Sequence, residues 1–314
     1  MTDTAATGRL PFDLPRLGIG TAPLGGLFEE VGDADAAATL RAAAEAGISY
    51  FDTAPRYGHG LAEERLGRLL GPSGVTDPVI STKTGWLLRP RPDGSPGEVI
   101  TDWTERGIRE SLESSLTRLG RDSVDILYLH DPDNYPDEIR RTAYPAVRRL
   151  RDEGLIRAIG FGMNHSGPLA SYVAEFDVDV VLIAGRFSLL DHEALGTLLP
   201  LCARTGTAVV VGGVFNTGLL ADPSPDAMFN YRPVPTPALE RARQCRKLCE
   251  EYGVPLTAAA IQFPLLHGAV GSVVLGCRSA AEVTANAAAA RFPVPDELWQ
   301  RLAGAGFVPE QLLG

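Results

Sequence analysis

Eight short apolar runs recur along this chain of 314 residues, each followed by a stretch of helical period, and no other feature restricts its fold as much. The runs are Leu17–Gly20, Ser49–Phe51, Val79–Ser81, Val124–Leu129, Ile156–Gly160, Val180–Ile183, Ala208–Val211 and Ser272–Leu275. Strands that alternate with helices pair in parallel, because each helix carries the chain back across the sheet. Helical patterns fill the gaps. Ala34–Ala46 stops at Gly47, Ala62–Leu70 stops before Gly71, and Pro136–Asp152 stops short of Gly154. Glu105–Leu119 sets Ile108, Leu112, Leu116 and Leu119 on one stripe and ends at Gly120, and glycine just past a helix is a stop signal. Pro168–Glu175, Asp191–Ala203, Pro237–Tyr252 and Ala280–Ala290 complete the set, and a further helix, Pro295–Ala303, follows the eighth unit. Eight β-then-α units around one core predict a single-domain (β/α)₈ barrel over 1–314 with an extra C-terminal helix. A doubly wound open sheet is the alternative, but no boundary divides the units into halves. Two connections, Thr84–Thr104 and Gly212–Thr236, are long enough to predict functional βα loops.

Charge narrows the partners. Lys and Arg number 29 against 39 Asp and Glu, a net charge of -10, which repels phosphate backbones and argues against nucleic acid. The basic runs Arg148–Arg151 and Arg241–Arg243 fall in helical patterns and read as solvated helix faces. The apolar stretch Val254–Leu275 is broken by Pro255, Gln262, Pro264 and His267, so no membrane span is expected. Met1–Ala6 lacks the basic start and apolar run of a signal peptide. Cys202, Cys245, Cys249 and Cys277 form no CxxC pair. Cys245 and Cys249 are a helical turn apart, but no His or carboxylate joins them at ligand spacing, so no metal is expected and a reducing cytoplasm is.

In a barrel of this kind the chemistry sits where strands end. Asp52 closes the second run, Lys83 follows the third and His130 follows the fourth. A lone Asp there reads as a turn or cap residue, and a lone His as a packed core residue. Lys83 facing a barrel mouth is costly unless paired, and Asp52 one strand over is its natural partner. Tyr57 lies five residues beyond Asp52, and a nearby cation is expected to lower its pKa and make it a proton donor and acceptor.

Taken together, Asp52-Thr53-Ala54 with Tyr57-Gly58, then Ser81-Thr82-Lys83, then Leu129-His130-Asp131-Pro132 resemble the aldo-keto reductases. The resemblance extends through Ile159–Asn164, Gly213–Leu220 and Gly276–Ser279 with Asn286. It implies that Tyr57 is the general acid or base, that Lys83 paired with Asp52 tunes it, and that His130 holds the substrate oxygen for hydride transfer to or from a nicotinamide cofactor. It further implies that Asn164 and Arg186 contact the nicotinamide end. Gly20, Thr21 and Asp52 lie along the cofactor, and the loop Gly213, Val214, Phe215, Asn216, Gly218 and Leu220 wraps the pyrophosphate. Gly276, Arg278, Ser279, Glu282 and Asn286 line the adenosine end, at the start of a helix. Neither Gly18–Pro23 nor Gly160–His165 completes a Rossmann fingerprint.

Three positions depart from the family pattern. Glu282 stands where NADPH-preferring members carry a basic residue, which favours NAD over NADP, with Arg278 as the counterweight. Gly212 replaces the aromatic that stacks on the nicotinamide, and Phe215 is not an evident substitute. Arg186 replaces a Gln and needs a carboxylate such as Asp191 to offset its charge. Within the family the chain is most similar to bacterial NAD-dependent aldose and L-fucose dehydrogenases, with pyridoxal dehydrogenase a close cousin. The implied reaction is oxidation of a sugar hemiacetal to the lactone. Trp86, His59, Met163, Asn164 and the segment around Phe307 are expected to select the substrate, alongside Tyr57 and His130. The alternatives are an aldehyde or ketone reductase, and a nicotinamide-sensing binding subunit. The oligomeric state is left open.

Overall fold

The structure, a computed structural model, describes residues 4–5, 8–27, 29–93 and 95–313. All of Met1–Ala6 except 4–5 therefore lies outside the described residues. Eight parallel strands close into a barrel: β1 (Leu17–Gly20), β2 (Tyr50–Asp52), β3 (Val79–Thr84), β4 (Val124–His130), β5 (Ile156–Met163), β6 (Val180–Ala184), β7 (Ala208–Gly212) and β8 (Val270–Gly276). Each pairs with its chain neighbour, and β8 closes on β1 through Gly276 opposite Gly20. The outer helices include α1 (Asp33–Glu45), α2 (Leu61–Ser73), α3 (Glu105–Leu119), α4 (Tyr144–Asp152), α5 (Ser166–Glu175), α6 (Leu198–Thr205), α7 (Thr236–Glu251), α8 (Leu256–Gln262), α9 (Ala280–Arg291) and α10 (Asp296–Gly304).

Alternation along each strand sorts side chains into two cores. One parity packs outward against the helices, as Phe51, Ile80, Leu127, Leu129, Phe161 and Met163 do. The other fills the barrel with Tyr50, Ile126, Tyr128, Val180, Leu182, Val210 and Val274, floored by Leu14. The two tyrosine rings fit because Gly18 and Gly160 lie beside them. A methyl group on either glycine would run into the ring of Tyr50 or Tyr128 respectively.

Several boundaries differ from the sequence expectation. The helix expected over Pro136–Asp152 is interrupted by a wide π turn at Ile139–Ala143. Pro145 follows that turn and cannot donate the backbone bond a regular helix needs there. Asp191–Ala203 divides into Glu193–Gly196 and α6. Helix α8 was not anticipated, because prolines bracket it on both sides. Both long connections carry hairpins: Trp86–Arg89 pairs with Glu98–Thr101, and Met228–Phe229 with Arg232–Pro233. Among the described residues no helix is long and apolar enough to cross a membrane.

Candidate active site

Strands β2, β3 and β4 are neighbours, and their inward-facing positions stack in register. Asp52 sits opposite Ser81, and Lys83 opposite Tyr128. Lys83 is 2% exposed. Its Nζ donates to Asp52 Oδ2 at 2.7 Å and to the Thr53 carbonyl at 2.7 Å. The ion pair expected from the sequence is therefore formed, and the buried ammonium is sustained by a carboxylate and a backbone carbonyl.

Tyr57 lies in the loop after β2. Its ring centroid is 4.7 Å from Lys83 Nζ, and it meets the His130 ring edge-on at 6.2 Å. Gly58, at φ +63°, lets this loop press against the turn around Gly25, and a methyl on either glycine would overlap the other's backbone. That close approach fixes where the phenol emerges. The lowered pKa expected for Tyr57 is not found. Burial raises the phenol above its ordinary value, and Asp52 adds to the rise. Lys83 pulls the other way by charge and hydrogen bonding without overcoming it. His130 is driven well below its ordinary pKa, first by burial and then by Lys83 and Arg56. It is a neutral imidazole at physiological pH. Its Nδ1 is buried with no partner among the described residues, and Nε2 is 3.7 Å from Asp131 Oδ2. The ring is thus held beside the phenol with hydrogen-bonding capacity to spare.

The rim holds the expected selector Trp86 together with Arg56, Asp131 and Tyr231, which sequence reasoning missed. Trp86 Nε1 donates to the His130 carbonyl at 2.9 Å. Arg56 lies over the Trp86 ring, 4.1 Å from its centroid, and bonds Asp131 Oδ2 at 3.3 Å. Tyr231, at the tip of the second hairpin, is 61% exposed and electrostatically coupled to Tyr57. Arg56 is one residue from Tyr57 and Asp131 one from His130, so adjacency to the motif was the available signal. His59 is exposed at φ +52°, outside this cluster of contacts. Two expected substrate selectors are not at the mouth. Met163 is buried among the outward-facing residues of β5, because it takes the parity opposite to Gly162. Phe307 is fully buried in the outer core, with Arg241 over its ring.

On the other side of the mouth, three adjacent strands end without side chains: β7 at Gly212, β8 at Gly276 and β1 at Gly20. Gly213 follows at φ +65°. A Cβ on Gly212 would have only van der Waals neighbours, the nearest at 3.7 Å, so the place of the missing aromatic is open. Thr21 is buried, and its Oγ1 donates to the Asp52 carbonyl at 3.1 Å. Helix α9 opens beside Gly276, with Ser279 accepting from the Glu282 amide. Glycine backbone at three adjacent strand ends, followed by a helix N-terminus, offers the close approach and anion affinity that an extended dinucleotide needs.

The individual cofactor candidates are placed as follows. Arg186 Nε donates to the Asn164 carbonyl at 3.0 Å, and its charge is met by Asp191 and Glu193, each at 3.4 Å. The compensation that Arg186 required is therefore present, from two carboxylates instead of one. In the loop after β7, Val214, Leu219 and Leu220 are buried, Phe215 is half-buried and Gly218 sits at φ +97°. Asn216, at φ +48°, accepts from Ser188 Oγ at 2.6 Å, so it braces the loop. Glu282, expected at the adenosine end, takes Arg278 on both oxygens: the backbone amide at 2.8 Å and Nη2 at 2.9 Å. Glu29 pairs with the same guanidinium at 2.9 Å. Asn286 donates to Cys277 Sγ.

Known proteins resemble this chain in sequence and fold. Residues 16–306 match the sequence profile of the Aldo/keto reductase family. A D-threo-aldose 1-dehydrogenase of Pseudomonas is 42% identical, the alignment covering 94% of this chain and 95% of that protein. A pyridoxal 4-dehydrogenase of Microbacterium luteolum is 36% identical, with 98% of each chain covered. Among solved structures, the holo form of an aldo-keto reductase from Bacillus halodurans superposes over the whole of both chains, with a TM-score of 0.79 at 26% identity.

Proposed function

The chain belongs to the aldo/keto reductase family, a nicotinamide-dependent oxidoreductase acting on CH–OH groups, and from that premise we propose that it oxidises the C1 hemiacetal of an aldose, such as L-fucose or a D-threo-aldose, to the lactone with NAD. The observation that carries the reading is the convergence of Asp52, Lys83, Tyr57 and His130 on one half of the barrel mouth. The similarity to the D-threo-aldose dehydrogenase over nearly its full length points to the substrate class.

In this reading the anomeric hydroxyl lies between Tyr57 and His130. Neutral His130 donates one N–H to the substrate oxygen and sets the angle of the C1–O bond. Tyr57 takes the hydroxyl proton as the C1–H bond breaks and the C1–O bond becomes the lactone carbonyl. Lys83 offsets negative charge on Tyr57, and the Asp52 and Thr53 oxygens hold Lys83 in place. When bound, NAD supplies the hydride acceptor. Asn164 and Arg186 hold its nicotinamide end, Gly20, Thr21 and the Gly213–Leu220 loop its middle, and Gly276, Ser279 and Asn286 its adenosine end. NAD is read as preferred to NADP because Glu282 and Glu29 both engage Arg278, the one basic side chain expected at the adenosine end. Four buried, unpaired cysteines suit a reducing cytoplasm.

A panel of fucose, galactose, arabinose, pyridoxal and simple aldehydes, with both nicotinamide cofactors, tests the proposal by reduced-cofactor absorbance. NAD-linked sugar oxidation yielding lactone is expected. NAD-linked oxidation of pyridoxal alone transfers the reading to the second relative's substrate. NADPH-linked carbonyl reduction with no sugar oxidation overturns it.

A further inference from the structure

Beneath Lys83 the barrel interior holds a column of hydroxyl groups that the acid–base chemistry described above does not use. Ser81 Oγ donates to Asp52 Oδ1 at 2.7 Å, on the carboxylate oxygen that Lys83 does not take. Tyr50 Oη lies 3.1 Å from Ser81 Oγ, and Tyr128 Oη lies 3.4 Å from Tyr50 Oη. Ser81, Tyr50 and Tyr128 are fully buried. Their direction is set by valence. A carboxylate paired with an ammonium only accepts, so the single Ser81 proton goes to Asp52. Ser81 must then accept from Tyr50, and Tyr50 from Tyr128. Burial pushes both tyrosines above their ordinary pKa, so they remain phenols and keep donating.

Three aligned O–H dipoles thus end on Asp52 from below. In a dry core such a chain polarises along its length and draws negative charge toward its donor end. We propose that Ser81, fed by Tyr50 and Tyr128, is a positioning residue that holds the Asp52 carboxylate with Oδ2 toward Lys83 and tunes the proton affinity of Tyr57 through that pair. The inference rests on Tyr57 being the acid–base group. The charged and titratable groups facing Tyr57 are Asp52 and Tyr50 on β2, Lys83 on β3, His130 on β4 and Tyr231 at the hairpin tip. Of these, Asp52 raises the phenol's pKa and Lys83 lowers it. Without the Ser81 proton, Oδ1 is stranded and more carboxylate charge reaches Tyr57. Because Asp52 already raises the phenol's pKa, that added charge moves it further upward.

Two variants test this. Ser81→Ala removes the last donor, and Tyr50→Phe removes the donor behind it while keeping the ring that packs beside Gly18. Tyrosinate absorbance is titrated in the cofactor-free protein, and Tyr57 is isolated by difference against Tyr57→Phe. The pH dependence of oxidation is followed in parallel. Ser81→Ala is expected to shift the Tyr57 transition upward by about half a pH unit or more, and Tyr50→Phe by less. Ser81→Thr, which keeps the hydroxyl, restores the transition. An unshifted Tyr57 transition in both Ser81→Ala and Tyr50→Phe, whatever the loss of thermal stability, overturns the positioning role and leaves the site reading standing. If removing Tyr57 abolishes no transition, and activity persists in Tyr57→Phe, the site reading itself fails.

Discussion

Tyr57 carries the proton, and its surroundings decide when it can. Replacing it with Phe removes the exchangeable proton and leaves the ring. Turnover is expected to fall by roughly 10²–10⁴, with cofactor affinity, measured by fluorescence titration, close to wild type. The direction of its pKa sets the pH profile. Oxidation needs the phenolate, and burial raises the phenol above its ordinary value. The oxidation rate should therefore keep climbing through the alkaline range, with no plateau near neutrality. His130 is held well below 6.5, so the profile should show no break at the usual histidine pKa. A plateau reached below pH 8, read from initial rates, would contradict the assignment. At this scale the four proposed catalytic residues were legible because their order and strand-end positions form a motif. Ser81, Tyr50 and Tyr128 were open to the same period-two logic, since Ser81 shares a face with Lys83, Tyr50 with Asp52 and Tyr128 with His130. The buried placement of Met163 was missed because β5 runs three residues past its expected end, and that of Phe307 because loop position says nothing of which way a side chain turns. The direction of the Tyr57 pKa was missed for a related reason: the sequence names the nearby cation but not the depth of burial that outweighs it.

Elements explain which boundaries the sequence could place. Helix α3 is marked at both ends, by Thr104 accepting from the Gly107 amide and by Gly120 at φ +61°, and its expected limits are those observed. The third strand, in contrast, runs on to Thr84, because the polar Ser-Thr-Lys-Thr stretch stays extended by pairing with β4. Propensity gives no hint of that, since the partner strand supplies the reason. Helix α9 carries a prediction of its own. Its first turn holds Glu282, which occupies Arg278 and caps the preceding backbone. Glu282→Arg leaves Arg278 paired with Glu29 alone and adds a second cation at the helix start. The ratio of NADP to NAD affinity should rise at least tenfold by direct titration, and an unchanged ratio would remove α9 from the adenosine end.

At the level of the whole barrel, the mouth has two unlike halves. Strands β2, β3 and β4 carry Asp52, Lys83 and His130 at or next to their ends, while β7, β8 and β1 end in glycine. The inside is equally particular. The Tyr128 ring occupies the space beside Gly160, so Gly160→Ala should destabilise the fold by about 1–3 kcal/mol through overpacking. Gly167 in α5 has open space around its Cβ position, and Gly167→Ala should be neutral or slightly stabilising. Urea denaturation of the two variants makes the comparison, and equal midpoints would mean that the rings have room to move. The tyrosines that demand those glycines also belong to the hydroxyl column under Asp52. Hardening this enzyme against heat by refilling its floor would therefore also disturb its reactivity, since the same few phenols serve as masonry and as wiring.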